Sequence, residues 1–396
     1  MKNQIRIQLM FMMFLLFFSW GSWYGQMSKY LLNGLGASGD QVGNAYLTFS
    51  IACIIAPFII GLIADRYFAA QKVLGFLNIL SAIILYFLIQ VKDPNSFFWY
   101  ILAYTITFAP NLALVNSIAM RQMENPGKEF PAIRVTGTIS WIIVTNIIGY
   151  LNIGGDVTIF TISMITSFIL GIYAFFLPDT PPKKSENKDI QEILGLNALK
   201  LLKNPSFLIF FISSILICIP LSFYFALANP SLTASNMSNV ENKMSLGQAS
   251  EIIFMLLIPF AFSKYGVKKM LIIGLLAWII RFICFGYGDG ISSEWLLYLG
   301  IILHGVCYDF FFVSGQIYTD QKAGENYKSS AQGLITLATY GVGMGIGSKL
   351  SGFALDYYEI GENMYDWTKI WWFPTYIAIF VLILFILSFK EEKTSL

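Results

Sequence analysis

The sequence predicts an all-α membrane protein of twelve transmembrane helices in two six-helix halves. Three observations predict it. Hydrophobic residues make up 56% of the 396 residues and charged residues only 12%, about half the roughly 25% of soluble domains. Mean hydropathy is +0.65. Apolar runs recur along the whole chain, and many reach the roughly 20 residues that a helix needs to cross a bilayer.

The spans read, in order, as 7–31, 41–63, 71–90, 97–122, 132–151, 157–177, 205–232, 243–263, 269–288, 294–320, 328–355 and 368–389. Lys2 and Arg6 precede the first run, as in a signal peptide. That run continues through Trp20, Gly21 and Trp23 without a small-residue cleavage pattern, so it is a first span. With both termini cytoplasmic, the inner segments hold 18 Lys and Arg and the outer ones 4. Such an excess sets orientation by the positive-inside rule. The expected setting is therefore a multi-pass protein of the cell inner membrane, in contact with the lipid bilayer.

The longest polar stretch, 178–204, falls at the midpoint of the span count. It divides the chain into an N-terminal half, 1–177, a cytoplasmic linker and a C-terminal half, 205–396. Within the linker, Ile190, Ile193, Leu194, Leu199, Leu201 and Leu202 form a broad apolar side, the pattern of an amphipathic helix on a membrane surface. A faint repeat supports two halves. Pro57-Phe58 leads to Asp65, Arg66 and Lys72, and Pro259-Phe260, 202 residues later, leads to Lys264, Lys268 and Lys269. Parallel six-span halves are a known transporter plan, with the substrate site near the midplane.

Several functional classes are disfavoured. A net charge of +2 gives no footprint for nucleic acid. Cys53, Cys218, Cys284 and Cys307 lie singly in apolar runs and read as small buried hydrophobes, with no metal site or cofactor implied. One histidine and isolated cysteines argue against a membrane enzyme.

Gly61 through Asp65 and Arg66 closes the second span and runs to Lys72. This resembles the loop signature of the major facilitator superfamily. Glycine lets helices approach closely, and a carboxylate at a helix end can latch a neighbouring helix terminus. Gly61, Asp65 and Arg66 are therefore the expected conformational latch.

Ionisable residues inside spans usually mark a pathway. Gln248 and Glu251 share one helical face by their spacing of three. His304 and Tyr308 share another, with Asp309 beside it. Arg134, Thr138 and Trp141 follow the i, i+4, i+7 spacing of a single face. Asp309 lies deep in an apolar run, where a bare carboxylate must be protonated or paired. A group whose protonation depends on its exposure is what a proton-coupled carrier requires. Arg281 is expected to snorkel or to pair with Asp289. The glycines between Gly341 and Gly352 read as close helix packing or a flexing element. Trp20 and Trp141 sit among small and polar residues and are the better aromatic site candidates.

Six motifs, spread from the first half to the second, resemble the nucleoside:proton symporter family of the major facilitator superfamily. They are Trp20-Gly21-Ser22-Trp23, Phe130 through Thr138, Leu194-Gly195-Leu196, Gln248 through Glu251, Trp278 through Phe282, and Tyr308 through Phe311. Phe176 through Pro182 and Leu303 through Val306 look nearest to that family's less characterised members. The resemblance implies that Arg134, Thr138, Trp141, Gln248, Glu251, His304, Tyr308 and Asp309 line a central nucleoside site, with Asn229 also matching. It makes Asp309 and Glu251 the candidates for proton coupling. One region departs: Ser222 and Phe225 stand where well-known nucleoside permeases carry amides. Tyr224 and Phe225 could stack on a base instead.

The expected activity is nucleoside import by proton symport through alternating access, carried out by a monomer whose partners are nucleoside, protons and lipid. A carrier of another small polyol, such as a sugar, is the alternative within transport. A channel or a polytopic enzyme is the alternative from another class.

Overall fold

The computed structural model describes residues 2–59, 67–181, 196–361 and 363–390. The chain divides into two compact units, Met1–Lys188 and Asp189–Leu396.

The first unit contains α1 (Asn3–Trp23), α2 (Met27–Gly34), α3 (Gly39–Ile59), α4 (Ala70–Leu88), α5 (Pro94–Arg121), α6 (Pro126–Leu151) and α7 (Thr158–Ala174). Helix ends follow local chemistry. Asp93 caps α5 by accepting from the Ser96 backbone N–H, and Pro94 occupies the first turn, where its missing N–H is harmless. Asn152 ends α6 in the left-handed region at φ 53. Packing sets α1 against α6 and α7, and α4 against α5 and α7.

Polar groups point inward. Ser19 bonds Ser163 and Ser167 at 2.8 and 3.0 Å, and Tyr104 bonds Ser163 at 3.0 Å, all buried. Apolar groups point outward, including Ile139, Ile143, Ile147 and Tyr150 on α6. The exposed part of each such isoleucine, about two-fifths of the residue, would forgo roughly 1 kcal/mol of burial free energy in water, so this polarity belongs to a lipid environment. Among the described residues, eight helical segments are long and apolar enough to cross a membrane.

The second unit begins with a 3-10 helix, Leu196–Lys203. It continues through α8 (Pro205–Ala234), α9 (Val240–Tyr287), α10 (Glu294–Tyr308), a π segment (Asp309–Val313), α11 (Ser314–Thr336), a second π segment (Leu337–Gly343) and α12 (Met344–Tyr357). A two-stranded hairpin, β1 (Glu359–Gly361) with β2 (Met364–Tyr365), precedes α13 (Trp367–Ser388). Gly343 and Gly347 let this segment press against α8. A Cβ added at either would lie 2.5 Å from the Ile215 carbonyl oxygen or 2.7 Å from Ile219 Cα. The close-packing reading of the glycines therefore holds there.

The structure refines several sequence boundaries. The run at 7–31 is two helices parted at residues 24–26. The runs at 243–263 and 269–288 are two helical stretches of α9 parted at Gly266, where the span boundary is expected; its φ of 71 and ψ of 173 only glycine adopts readily. The run at 294–320 is interrupted by the first π segment and extends past it to a break at Gly324, φ 62. Hydropathy places the breaks at Gly266 and Gly324 between spans, but it cannot see the π segment, which interrupts no apolar run.

The latch residues Gly61, Asp65 and Arg66 lie outside the described residues, as do Ile190, Ile193 and Leu194 of the apolar side drawn over 190–202. Its remainder is the 3-10 helix, and there Ala198 is fully buried with Ala323, Ala331 and Leu334. The start of the linker is pinned to the first unit: Gln71 bonds Asp179 and the Thr180 backbone N–H, and Arg121 donates to the Pro181 carbonyl.

Candidate functional site

Each unit gathers its own set of the sequence-selected residues. In the first, Trp20 lies against Phe17, Tyr24, Phe49, Phe108 and Trp141, with ring centroids 5.3–5.9 Å apart. Gly21 makes the Trp141 contact possible, because a Cβ there would stand 2.9 Å from the indole. The Trp20 indole nitrogen has no hydrogen-bond partner among the described residues. Arg134 lays its guanidinium 4.2 Å over the Phe17 ring, a cation–π contact worth about 0.5–2 kcal/mol. Thr138 is half-buried one turn further along α6. The predicted face Arg134–Thr138–Trp141 therefore meets the Trp20 face of α1.

In the second unit, α9 and α10 approach closely at Gly247 and Gly305. A Cβ on Gly305 would lie 2.6 Å from the Ser250 carbonyl carbon. The Gly305 N–H donates to Ser250 Oγ at 3.1 Å. This contact holds Glu251 opposite His304, with Oε2 and Nε2 3.8 Å apart. Gln248 is half-buried on the turn before Glu251.

The other imidazole nitrogen, Nδ1, meets Arg281 Nη1 at 2.9 Å. Arg281 is fully buried. Its guanidinium lies 3.6 Å over Tyr224 and 5.4 Å from both Trp278 and Phe285, and Nε and Nη2 have no hydrogen-bond partner among the described residues. A buried charge costs several kcal/mol, and three ring contacts and one neutral acceptor offset only part of that. Such an undercompensated charge within a span is characteristic of a functional site.

Arg281 was missed by the sequence reading. The expected pairing with Asp289 does not occur. Asp289 instead accepts from the backbone N–H groups of Ile291 and Ser292, which hold its carboxyl below the usual range. Depth was the available signal: Arg281 lies six residues, about 9 Å along the axis, before the helix end at Tyr287, and Asp289 lies beyond that end.

Asp309 opens the first π segment and is fully buried, and neither carboxyl oxygen has a hydrogen-bond partner among the described residues. It is close enough to Glu251 for the two to interact electrostatically. Single-turn π segments recur at functional positions, and Tyr308, the last residue of α10 before this one, meets Tyr340 of the second π segment, hydroxyl to hydroxyl, at 2.7 Å.

The residues from α8 fit the expectation less well. The Tyr224 ring is buried beneath Arg281 and beside His304. Its face is occupied by Arg281, and Phe225, half-buried, packs against the Tyr224 ring with centroids 5.4 Å apart. Asn229 is fully buried and donates to Glu241 at 3.3 Å. Ser222 donates to the Met344 carbonyl at 2.8 Å and serves helix packing.

Comparison with known proteins supplies the context. Residues 1–394 match the family described as nucleoside H+ symporter. The Escherichia coli K12 protein named "Putative nucleoside transporter YegT" is 40% identical, over 98% of this chain and 95% of that one. Xanthosine permease of the same organism is 33% identical, over 98% and 96%. The crystal structure of nucleoside transporter NupG superposes with a TM-score of 0.89 at 30% identity, covering 99% of this chain and 100% of that one. The POT family transporter PepTSo, at 14% identity and a TM-score of 0.76, shares the fold. With its apolar helices, inward polar networks and end-to-end match, this chain is a multi-pass membrane transporter belonging to the nucleoside H+ symporter family.

Proposed function

We propose that the chain imports nucleosides across the inner membrane by proton symport and alternating access, acting as a monomer of twelve spans with both termini in the cytoplasm. Asp309 and Glu251 carry the coupling proton. Arg134, Thr138, Trp141 and Trp20 supply polar and stacking contacts from the first unit. Gln248, His304, Tyr308 and Phe225 supply them from the second. The charge asymmetry of the connecting segments supports the orientation, and the family supports the substrate class.

The observation that carries the coupling role is the Asp309 carboxyl, fully buried with neither oxygen hydrogen-bonded. A carboxylate left in that state is unfavourable by several kcal/mol, so reorientation of the carrier is tied to proton binding at this group. Asp309→Asn keeps the shape and removes the titration. In proteoliposomes under an imposed pH gradient, this variant is expected to abolish uphill nucleoside uptake. Undiminished pH-driven accumulation would rule out the coupling role. A competition panel of nucleosides against sugars tests the substrate class, and displacement by sugars alone would transfer the reading to a polyol carrier.

A further inference from the structure

This inference rests on the coupling role of the α9–α10 cluster. We propose that Arg281 is a positioning residue that fixes His304 in one tautomer and thereby presents Glu251 with a hydrogen-bond donor, never an acceptor.

The argument follows from donor and acceptor inventory. Arg has only N–H donors and does not lose its charge in proteins. At 2.9 Å from Arg281 Nη1, Nδ1 of His304 must therefore be the acceptor. A hydrogen on Nδ1 would set two donors against each other. The neutral ring thus carries its hydrogen on Nε2, the nitrogen that faces Glu251. At 3.8 Å the pair is too long for a hydrogen bond, and an approach of about 1 Å would make one.

An N–H in that place favours a carboxylate, a stronger acceptor than the carbonyl oxygen of a protonated carboxyl, whose O–H would need an acceptor of its own. Arg281 therefore decides which protonation state of Glu251 the ring favours. It does so from outside the substrate contacts, through a neutral imidazole. Among the described residues, Arg281 is the hydrogen-bond partner of Nδ1. His304 also faces Tyr224 from α8 and Tyr308 on its own helix. Arg281 faces Tyr224, Trp278, Phe285 and Cys307, and beyond Glu251 lies Asp309. Ser250 and Gly305 fix the distance between the two helices and so keep the ring in register with Glu251.

His304 is the only histidine in the chain, so one labelled residue reports the tautomer. Protein carrying 15N-histidine and a histidine-free affinity tag, reconstituted in bilayers, is expected to show a neutral ring protonated at Nε2. A ring protonated at Nδ1 in the unmodified protein overturns the proposal, whatever the variants do.

Arg281→Met frees the tautomer. Its proton concentration for half-maximal uptake is expected to fall about tenfold, while nucleoside counterflow without a pH gradient persists. Arg281→Lys, also donor-only and charged, is expected to restore the dependence toward that of the unmodified protein. Arg281→Gln, which can accept as well as donate, is not. An unmoved proton dependence in Arg281→Met that still performs counterflow also overturns the proposal. Failure of the coupling reading itself is distinguishable, since the unmodified protein would then show no pH-driven uptake while the tautomer assignment stood.

Discussion

Replacing Gly305 by alanine tests whether the α9–α10 contact sets the geometry of the acidic site. The new Cβ would lie 2.6 Å from the Ser250 carbonyl carbon and 2.7 Å from the Glu251 backbone nitrogen. Both are backbone atoms and cannot rotate away. Ordinary contact begins near 3.4 Å, so the helices must part by about 0.8 Å. Overpacking of this kind costs about 1–3 kcal/mol. The Gly305 to Ser250 bond, 3.1 Å now, stretches beyond hydrogen-bonding range, at about 1 kcal/mol more. Ser250→Ala removes that hydroxyl without the clash and should cost only the smaller amount. Thermal unfolding in detergent should therefore rank Gly305→Ala well below Ser250→Ala, and Ser250→Ala slightly below the unmodified protein. Uptake should fall in the same order, because the Glu251–His304 gap widens with the helices. Unmodified stability and uptake in Gly305→Ala would refute the packing argument.

The other predictions concern single bonds. Removing either hydroxyl of the Tyr308–Tyr340 pair, as Tyr308→Phe or Tyr340→Phe, should cost about 1 kcal/mol. The double variant should cost less than the sum, and additive losses in a double-mutant cycle would show that the bond contributes nothing. Asp93, fully exposed, is held below the usual carboxylate range chiefly by the Ser96 backbone N–H. A depressed carboxyl stabilises the fold above its ordinary value of about 3.9 and loses that contribution as pH falls through the lower folded value. The unfolding midpoints of the unmodified protein and Asp93→Ala should therefore differ at neutral pH and converge in strong acid.

Much of the site was legible because burying charge in an apolar run is costly in any fold. Asp309 and Glu251 could be proposed from depth and spacing alone, Arg134 needed the family resemblance as well, and α9 and α10 bring Glu251 and His304 face to face. Where the reading fell short, the deciding quantity was a contact across helices. Arg281 was assigned to the helix end because an acid lay within reach in sequence, yet that acid is satisfied by its own loop. Tyr224 was offered to a substrate base, yet its face is taken by Arg281. Neither partner is a near neighbour in the chain.

By itself the sequence determined the all-helical class, the membrane setting and the residues too polar to lie in lipid without a role. Those follow from transfer free energies, which are properties of composition and local order. Only the tertiary structure decided that Gly305 brings α9 onto α10, that Arg281 faces His304 rather than Asp289, and that the helix at Asp309 opens into a π segment. These depend on ångström-scale approach between segments distant in sequence, which helical periodicity does not encode.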